Sequence, residues 1–98
     1  MPAHGHLFFD DSGLEFATLM ALGAAPYGLT EAGEVLATVS RIDGDDANSF
    51  FREWSATANT CLAQAAQCEA AGHLASARWL YLRGSYYLGP ALFYVLAT

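Results

Sequence analysis

Apolar positions recur with a helical period along most of the chain. Leu14, Phe16, Leu19 and Met20 sit within one such stretch and predict a helix from about Gly13 to Leu22. Ser12 followed by Glu15 reads as a capping box at its start, and Gly23 as its stop. Ala24 to Leu29 contains Pro26 and Gly28 and predicts a loop. Thr30 is the next expected N-cap, with Glu31 and Glu34 at the positive end of the helix dipole. Val35, Leu36, Val39 and Ile42 then give an apolar face to a short helix ending near Arg41. Asp43 to Asp46 is an acidic turn.

A longer pattern follows. Phe51, Trp54, Ala58, Cys61, Ala65, Cys68 and Gly72 alternate spacings of three and four, a continuous stripe on a helix from about Ala47 to Ala71. Most of its members are small, so a neighbouring helix can approach closely. Gly72 is expected just past the helix end. A fourth helix runs from Leu74 to about Leu88 and is apolar nearly all round, which predicts burial on several sides. Gly89-Pro90 is expected to kink or break it before a last segment, Ala91 to Ala97. The fold class that follows is all-α, with four to five helices, a helical hairpin as its core and no sheet. Residues 1–98 form one domain, with 1–11 as an extended lead in which Leu7 to Phe9 pack on the body.

Composition narrows the partners. Apolar residues make up 54% of the chain and charged residues only 14%, against about 25% charged in ordinary domains. That balance predicts more apolar surface than a small monomer hides, and so a homo-oligomer or a missing domain. The net charge is −6, with four basic residues in all. Nucleic acid and anionic membrane surfaces are poor partners for such a chain. The start carries no secretory pattern, and the apolar run from Tyr86 to Ala97 is shorter than the roughly 20 residues of a bilayer span. The expected location is the cytoplasm. Cys61 and Cys68 are about 10 Å apart along a helix axis at ~1.5 Å per residue, too far for a disulfide. Both are expected to be reduced and buried.

No catalytic set emerges. None of the serines, at 12, 40, 49, 55, 76 and 85, lies in a G-x-S-x-G pattern. His4 and His6 lack the third and fourth fixed ligands of a metal site. The acidic turn from Asp43 departs from a calcium loop, with Asn48 and Trp54 where Gly and Glu are needed. No metal or cofactor is expected. The candidate substrate- or partner-facing residues are Tyr27, Trp54, His73, Trp79, Tyr81, Tyr86 and Tyr87. Tyr and Trp suit such edges because each joins an apolar body to one polar tip. Most of the aromatic set, which also includes Phe93 and Tyr94, is expected in the core.

The order of segments carries a resemblance. It runs through Phe8 to Glu15, Leu22-Gly23, Ala25 to Gly28, Gly33 to Leu36, Arg41-Ile42, Asp45 and Glu53-Trp54. It continues with Ala70 to His73, Ser76-Ala77 and Tyr81 to Tyr87. This resembles the N-terminal helical cap of an α/β-hydrolase group. The group includes 2,6-dihydroxypseudooxynicotine hydrolase, fermentation-respiration switch esterase-like proteins and fungal polyketide-shortening hydrolases. The most specific part is Gly72 to Tyr87, supported by Glu53-Trp54. The resemblance implies a lid that shields the active site and shapes substrate selection. Its partner would be an α/β-hydrolase core, on the same or a separate chain, acting on ester, amide or C–C bonds. The Ser, acid and His of that core are absent here, so no catalytic residue carries over.

A second reading is a tetratricopeptide-like interaction module or accessory subunit. Leu74, Ala77, Tyr81 and Gly84 occupy repeat-like places, but no matching pattern lies 34 residues upstream of Gly72.

Overall fold

The computed structural model describes the backbone of residues 7–97 and the side chains of residues 7–92. His4, His6 and the side chains of Phe93 and Tyr94 lie outside these. Four α-helices follow one another: α1 (Ser12–Gly23), α2 (Ala32–Ser40), α3 (Ala47–Ala70) and α4 (Leu74–Ala97). A short 3-10 turn, Ala25–Tyr27, links α1 to α2. There is no strand among the described residues. The all-α expectation holds. The scaffold is the antiparallel hairpin of α3 and α4, with α1 packed on α4 and α2 on α3.

The hairpin corner explains the register of its arms. Gly72 has a φ of 82°, a left-handed value that costs an L side chain steric strain. Its N–H donates to the Glu69 carbonyl at 3.0 Å, and the His73 N–H donates to the Cys68 carbonyl at 2.8 Å. Together these satisfy the carbonyls left open at the end of α3. His73 thus serves the corner through its backbone, and its side chain is exposed.

The arms approach closely where side chains are smallest. Ala58, Cys61 and Ala65 of α3 are buried against Ala77, Gly84 and Ala91 of α4. A Cβ on Gly84 would stand 2.8 Å from Leu62 Cδ2 and 3.1 Å from Cys61 Cβ. The predicted stripe is therefore the packed seam from Trp54 to Ala65. Its ends differ: Phe50, not Phe51, is buried at the start, and Cys68 is only half-buried. A 3.6-residue period drifts off a heptad row and turns the inward position back by one residue.

An aromatic ladder crosses the core. Phe9 meets Phe50 edge-on with ring centroids 5.6 Å apart. Phe50 lies 6.2 Å from Trp54, and Trp54 lies 5.8 Å from Tyr87. The lead, α3 and α4 therefore share one apolar core, and the expected packing of Leu7 to Phe9 holds for the buried Phe9.

Several local expectations are corrected. Asp11, not Ser12, caps α1, accepting from the Leu14 N–H at 2.9 Å. Glu15 turns inward instead of closing a capping box. Its carboxylate accepts the N–H groups of Leu7, Phe8 and Phe9 at 2.6, 3.0 and 3.2 Å. Gly23 remains helical, and Ala24 ends α1. Thr30 does not cap α2. Its hydroxyl donates to the Ala21 carbonyl at 2.6 Å, while Glu31 caps by accepting from Gly33 and Glu34. Gly89-Pro90 does not break α4, which continues to Ala97. Nor is α4 buried on several sides: Leu74, Trp79, Tyr81, Leu82 and Leu92 are exposed.

Two glycines make a contrasting test. Gly84→Ala forces a methyl group into the seam and is expected to cost about 1–3 kcal/mol. Trimming the neighbour with Leu62→Ala should reduce that penalty. Gly23 has helical backbone and open space at its Cβ position, so Gly23→Ala should stabilise by about 0.5–1 kcal/mol. Urea denaturation of both variants checks the pair. A stable Gly84→Ala variant would contradict the close approach of α3 and α4.

Candidate functional site

Polar groups converge where α2 crosses the hairpin. Arg83 Nε donates to Glu34 Oε1 at 2.7 Å, and a second guanidinium nitrogen reaches Oε2 at 3.2 Å. Such a two-pronged contact fixes both planes at once. The Tyr87 hydroxyl donates to Glu34 Oε1 at 2.6 Å and accepts the Glu31 N–H at 3.0 Å. Cys61 Sγ lies 3.8 Å from Glu34 Oε2. One carboxylate on α2 therefore faces α3 and α4 together. Thr38 and Thr57 hydroxyls, 2.6 Å apart, and Arg41, bonded to Glu53 at 3.0 Å and to Thr57 at 2.9 Å, complete the α2–α3 contact.

This cluster is built for holding, not for reacting. Burial raises the Cys61 thiol above its ordinary value, and the nearby Glu34 charge raises it further. A thiol kept protonated is a poor nucleophile. Burial likewise pushes the Tyr87 phenol well above its ordinary range, reinforced by its bond to Glu34. Cys61 and Cys68 are both free thiols.

Ser85 is exposed on α4. His73, at the hairpin corner, lies about 18 Å away along the helix at ~1.5 Å per residue. No base bonds to Ser85 among the described residues. No group of three metal-ligating side chains occurs among them either.

The concave surface lies elsewhere, between α1 and the second half of α4. Two depressions join there. One, of about 430 Å³, is lined by Phe16, Met20, Tyr86 and Pro90 among others. The other, of about 300 Å³, adds Leu19, Gly23 and Tyr27 and shares Met20 and Tyr86 with the first. Near it, the Trp79 ring covers Gly28, whose Cβ position lies 3.6 Å from that ring.

The seven sequence candidates therefore separate. Trp54 and Tyr87 are fully buried in the aromatic ladder. Tyr27 and Tyr86 line the trough. Trp79 is 54% exposed beside the 3-10 turn. Tyr81 stands on the other side of α4, its hydroxyl donating to Glu69 at 3.0 Å. His73 is at the corner. They do not form one site. Phe16, Leu19 and Met20 were expected as the apolar face of α1, yet all three are exposed along the trough. Glu34 and Arg83 were not among the sequence candidates, although both lie in segments that carry the resemblance. The available signal was a charged Arg83 in an apolar stretch of α4, which requires a partner.

No family model matches the chain, and no solved structure matches it. It is 37% identical over 93 residues to Hydrolase LUC6 of a Fusarium species, covering 95% of this chain and 22% of that protein. It is 38% identical over 88 residues to the alpha/beta hydrolase psoB of Aspergillus fumigatus, covering 90% of this chain and 20% of that protein. Hydrolase pyiE of Pyricularia grisea is 40% identical over 83 residues, covering 84% of this chain and 18% of that protein.

The Tyr87 environment sets a pH dependence. The fold favours the neutral phenol, so this contribution to stability is complete below the ordinary tyrosine value near 10. It is lost as pH rises beyond that value. Urea midpoints should therefore fall above pH ~10, and Tyr87→Phe should flatten the fall while lowering stability at neutral pH. An unchanged alkaline slope in Tyr87→Phe would contradict the buried bond to Glu34. These bonds brace a small helical body, and that body is similar along nearly its whole length to proteins named as hydrolases, of which it spans about a fifth.

Proposed function

We propose that the chain is the helical lid of an α/β-hydrolase, shielding the active site and shaping substrate selection. The observation that carries this reading is the match itself. It covers 84–95% of this chain but only about a fifth of each hydrolase described above. The chain thus aligns with one limited portion of each of those larger proteins. Two features of the fold support the lid role. The described residues assemble no nucleophile with its base, and in this reading the chemistry is supplied by the rest of the enzyme. The helices also expose apolar side chains that a free-standing body would bury, among them Phe16, Met20, Trp79 and Leu82.

The lid works by excluding water and by restricting which shapes reach the nucleophile. Water exclusion strengthens every charge interaction beneath it. A braced helical body suits this task because its rigidity makes the wall selective. Glu34, Arg83 and Tyr87 supply that bracing and do not themselves line the trough.

Two preparations test the proposal. The isolated chain is expected to leave short-chain activated esters unhydrolysed. A chimera in which it replaces the matching segment of a relative such as Hydrolase LUC6 should keep its turnover with altered substrate preference. Ester turnover by the isolated chain that vanishes in Ser85→Ala would contradict the lid reading. So would a chimera no more selective than the relative with that segment deleted.

A further inference from the structure

The trough between α1 and α4 has a chemistry of its own. Its two depressions lie side by side and share Met20 and Tyr86 in their linings. No charged side chain lines either one, although the chain carries ten acidic residues. The polar lining side chains are the hydroxyls of Ser85, Tyr86 and Tyr27. Other grooves on the molecule differ: the one between α2 and α3 includes Glu34 and Arg41, and the one beside the hairpin corner includes Glu69 and Arg78. The two depressions have volumes within or near those of small-molecule sites, roughly 300–1,000 Å³.

Gly23 widens the trough at one end. It lines the trough, its backbone is helical, and a Cβ there would meet nothing within 4 Å. Neither a left-handed turn nor packing within this chain requires a glycine. Glycine in a helix costs stability relative to alanine. The missing side chain leaves open space at that end of the trough. Gly89 carries no such weight, because the following Pro90 already disfavours a Cβ on a helical residue before it.

We propose that this trough binds an uncharged, elongated, largely apolar small molecule, and that Met20 and Gly23 determine its fit. Under the lid reading on which its catalytic meaning rests, the trough is the wall that selects such a substrate. An anionic ligand finds no cation along the lining and must lose its hydration there, which favours a neutral one. The hydroxyls can orient one or two polar groups of an otherwise apolar chain.

Titration of the chain with Nile red, an uncharged elongated dye, tests this. Competition uses decanol and decanoate, which share an alkyl chain and differ in charge. The dye should bind, and decanol should displace it at concentrations about tenfold lower than decanoate. Met20→Arg should weaken binding by about tenfold or more, and Gly23→Leu should do the same by filling the trough. Both positions are exposed, so circular dichroism should show retained helix. Leu36→Arg, exposed on α2 outside the trough, should leave affinity unchanged. Equal competition by decanoate, equal loss in Leu36→Arg, or absence of dye binding would overturn the proposal. Light scattering that shows a dimer dissociated by Met20→Arg would also overturn it, because a second copy would then occupy the trough. Neutral-ligand binding by the chain, with chimera selectivity indifferent to Met20→Arg, would support the site and sink the lid reading alone.

Discussion

Glu34 is the side chain on which the arrangement of the helices depends. The α3–α4 hairpin is held by its own seam, but α2 is only nine residues long and contributes one fully buried apolar side chain, Val35. A helix that short has no stable existence alone. Its position comes from directional bonds: Glu34 to Arg83 and Tyr87 on α4, and Thr38 to Thr57 on α3. The Glu34 and Arg83 side chains are 28% and 24% exposed. That degree of burial makes a two-pronged ion pair stronger than a surface one, while leaving some hydration for both charges. Removing one partner would leave the other charged and poorly solvated.

The same economy appears in the division of labour along α4. One face carries Ala77, Gly84, Tyr87 and Ala91 and is consumed by packing within the chain. Small residues there let the α3 backbone approach, and the Tyr87 ring packs on Trp54 with centroids 5.8 Å apart. The remaining faces carry Leu74, Trp79, Tyr81, Leu82 and Leu92, all exposed. Apolar burial is worth roughly 25 cal/mol per Å², so side chains of this size left in water are a persistent drive toward contact. A lid is one body for which that drive is useful, since its inner surface is completed by the enzyme beneath it.

Much of the fold was legible in the sequence, and the parts that were not share a cause. The four helices, the hairpin corner at Gly72 and the close-packed stripe from Trp54 to Ala65 follow from local signals of period and turn chemistry. Caps were less legible because Asp11 and Ser12, or Thr30 and Glu31, are adjacent residues that can each cap. The choice was made by partners beyond the helix's own first turn: Glu15 was drawn away by the lead's amides, and Thr30 by the Ala21 carbonyl. Pro90 misled because loss of one helical hydrogen bond is a local penalty, and packing of Tyr87 and Ala91 on either side outweighs it. The candidate site was half legible. Tyr27 and Tyr86 were named from their chemistry, but burial of Trp54 and Tyr87 depends on which face of each helix the seam selects. The trough residues of α1 looked like core because an apolar stripe left exposed and one covered by its own chain have the same pattern in sequence.

The central claim is that the exposed face of α1 and α4 is an inner surface awaiting the rest of a hydrolase. Hydroxyl-radical footprinting of Met20, Trp79 and Leu82, in the isolated chain and in the chimeric hydrolase that carries it, tests that claim most directly. Trp54, fully buried in the chain alone, is the internal reference. The account predicts that oxidation of Met20, Trp79 and Leu82 slows by about tenfold in the chimera as the face is covered, while Trp54 stays protected in both. Equal oxidation of the three residues in both proteins would show that this face looks outward in the complete enzyme, and would contradict the account.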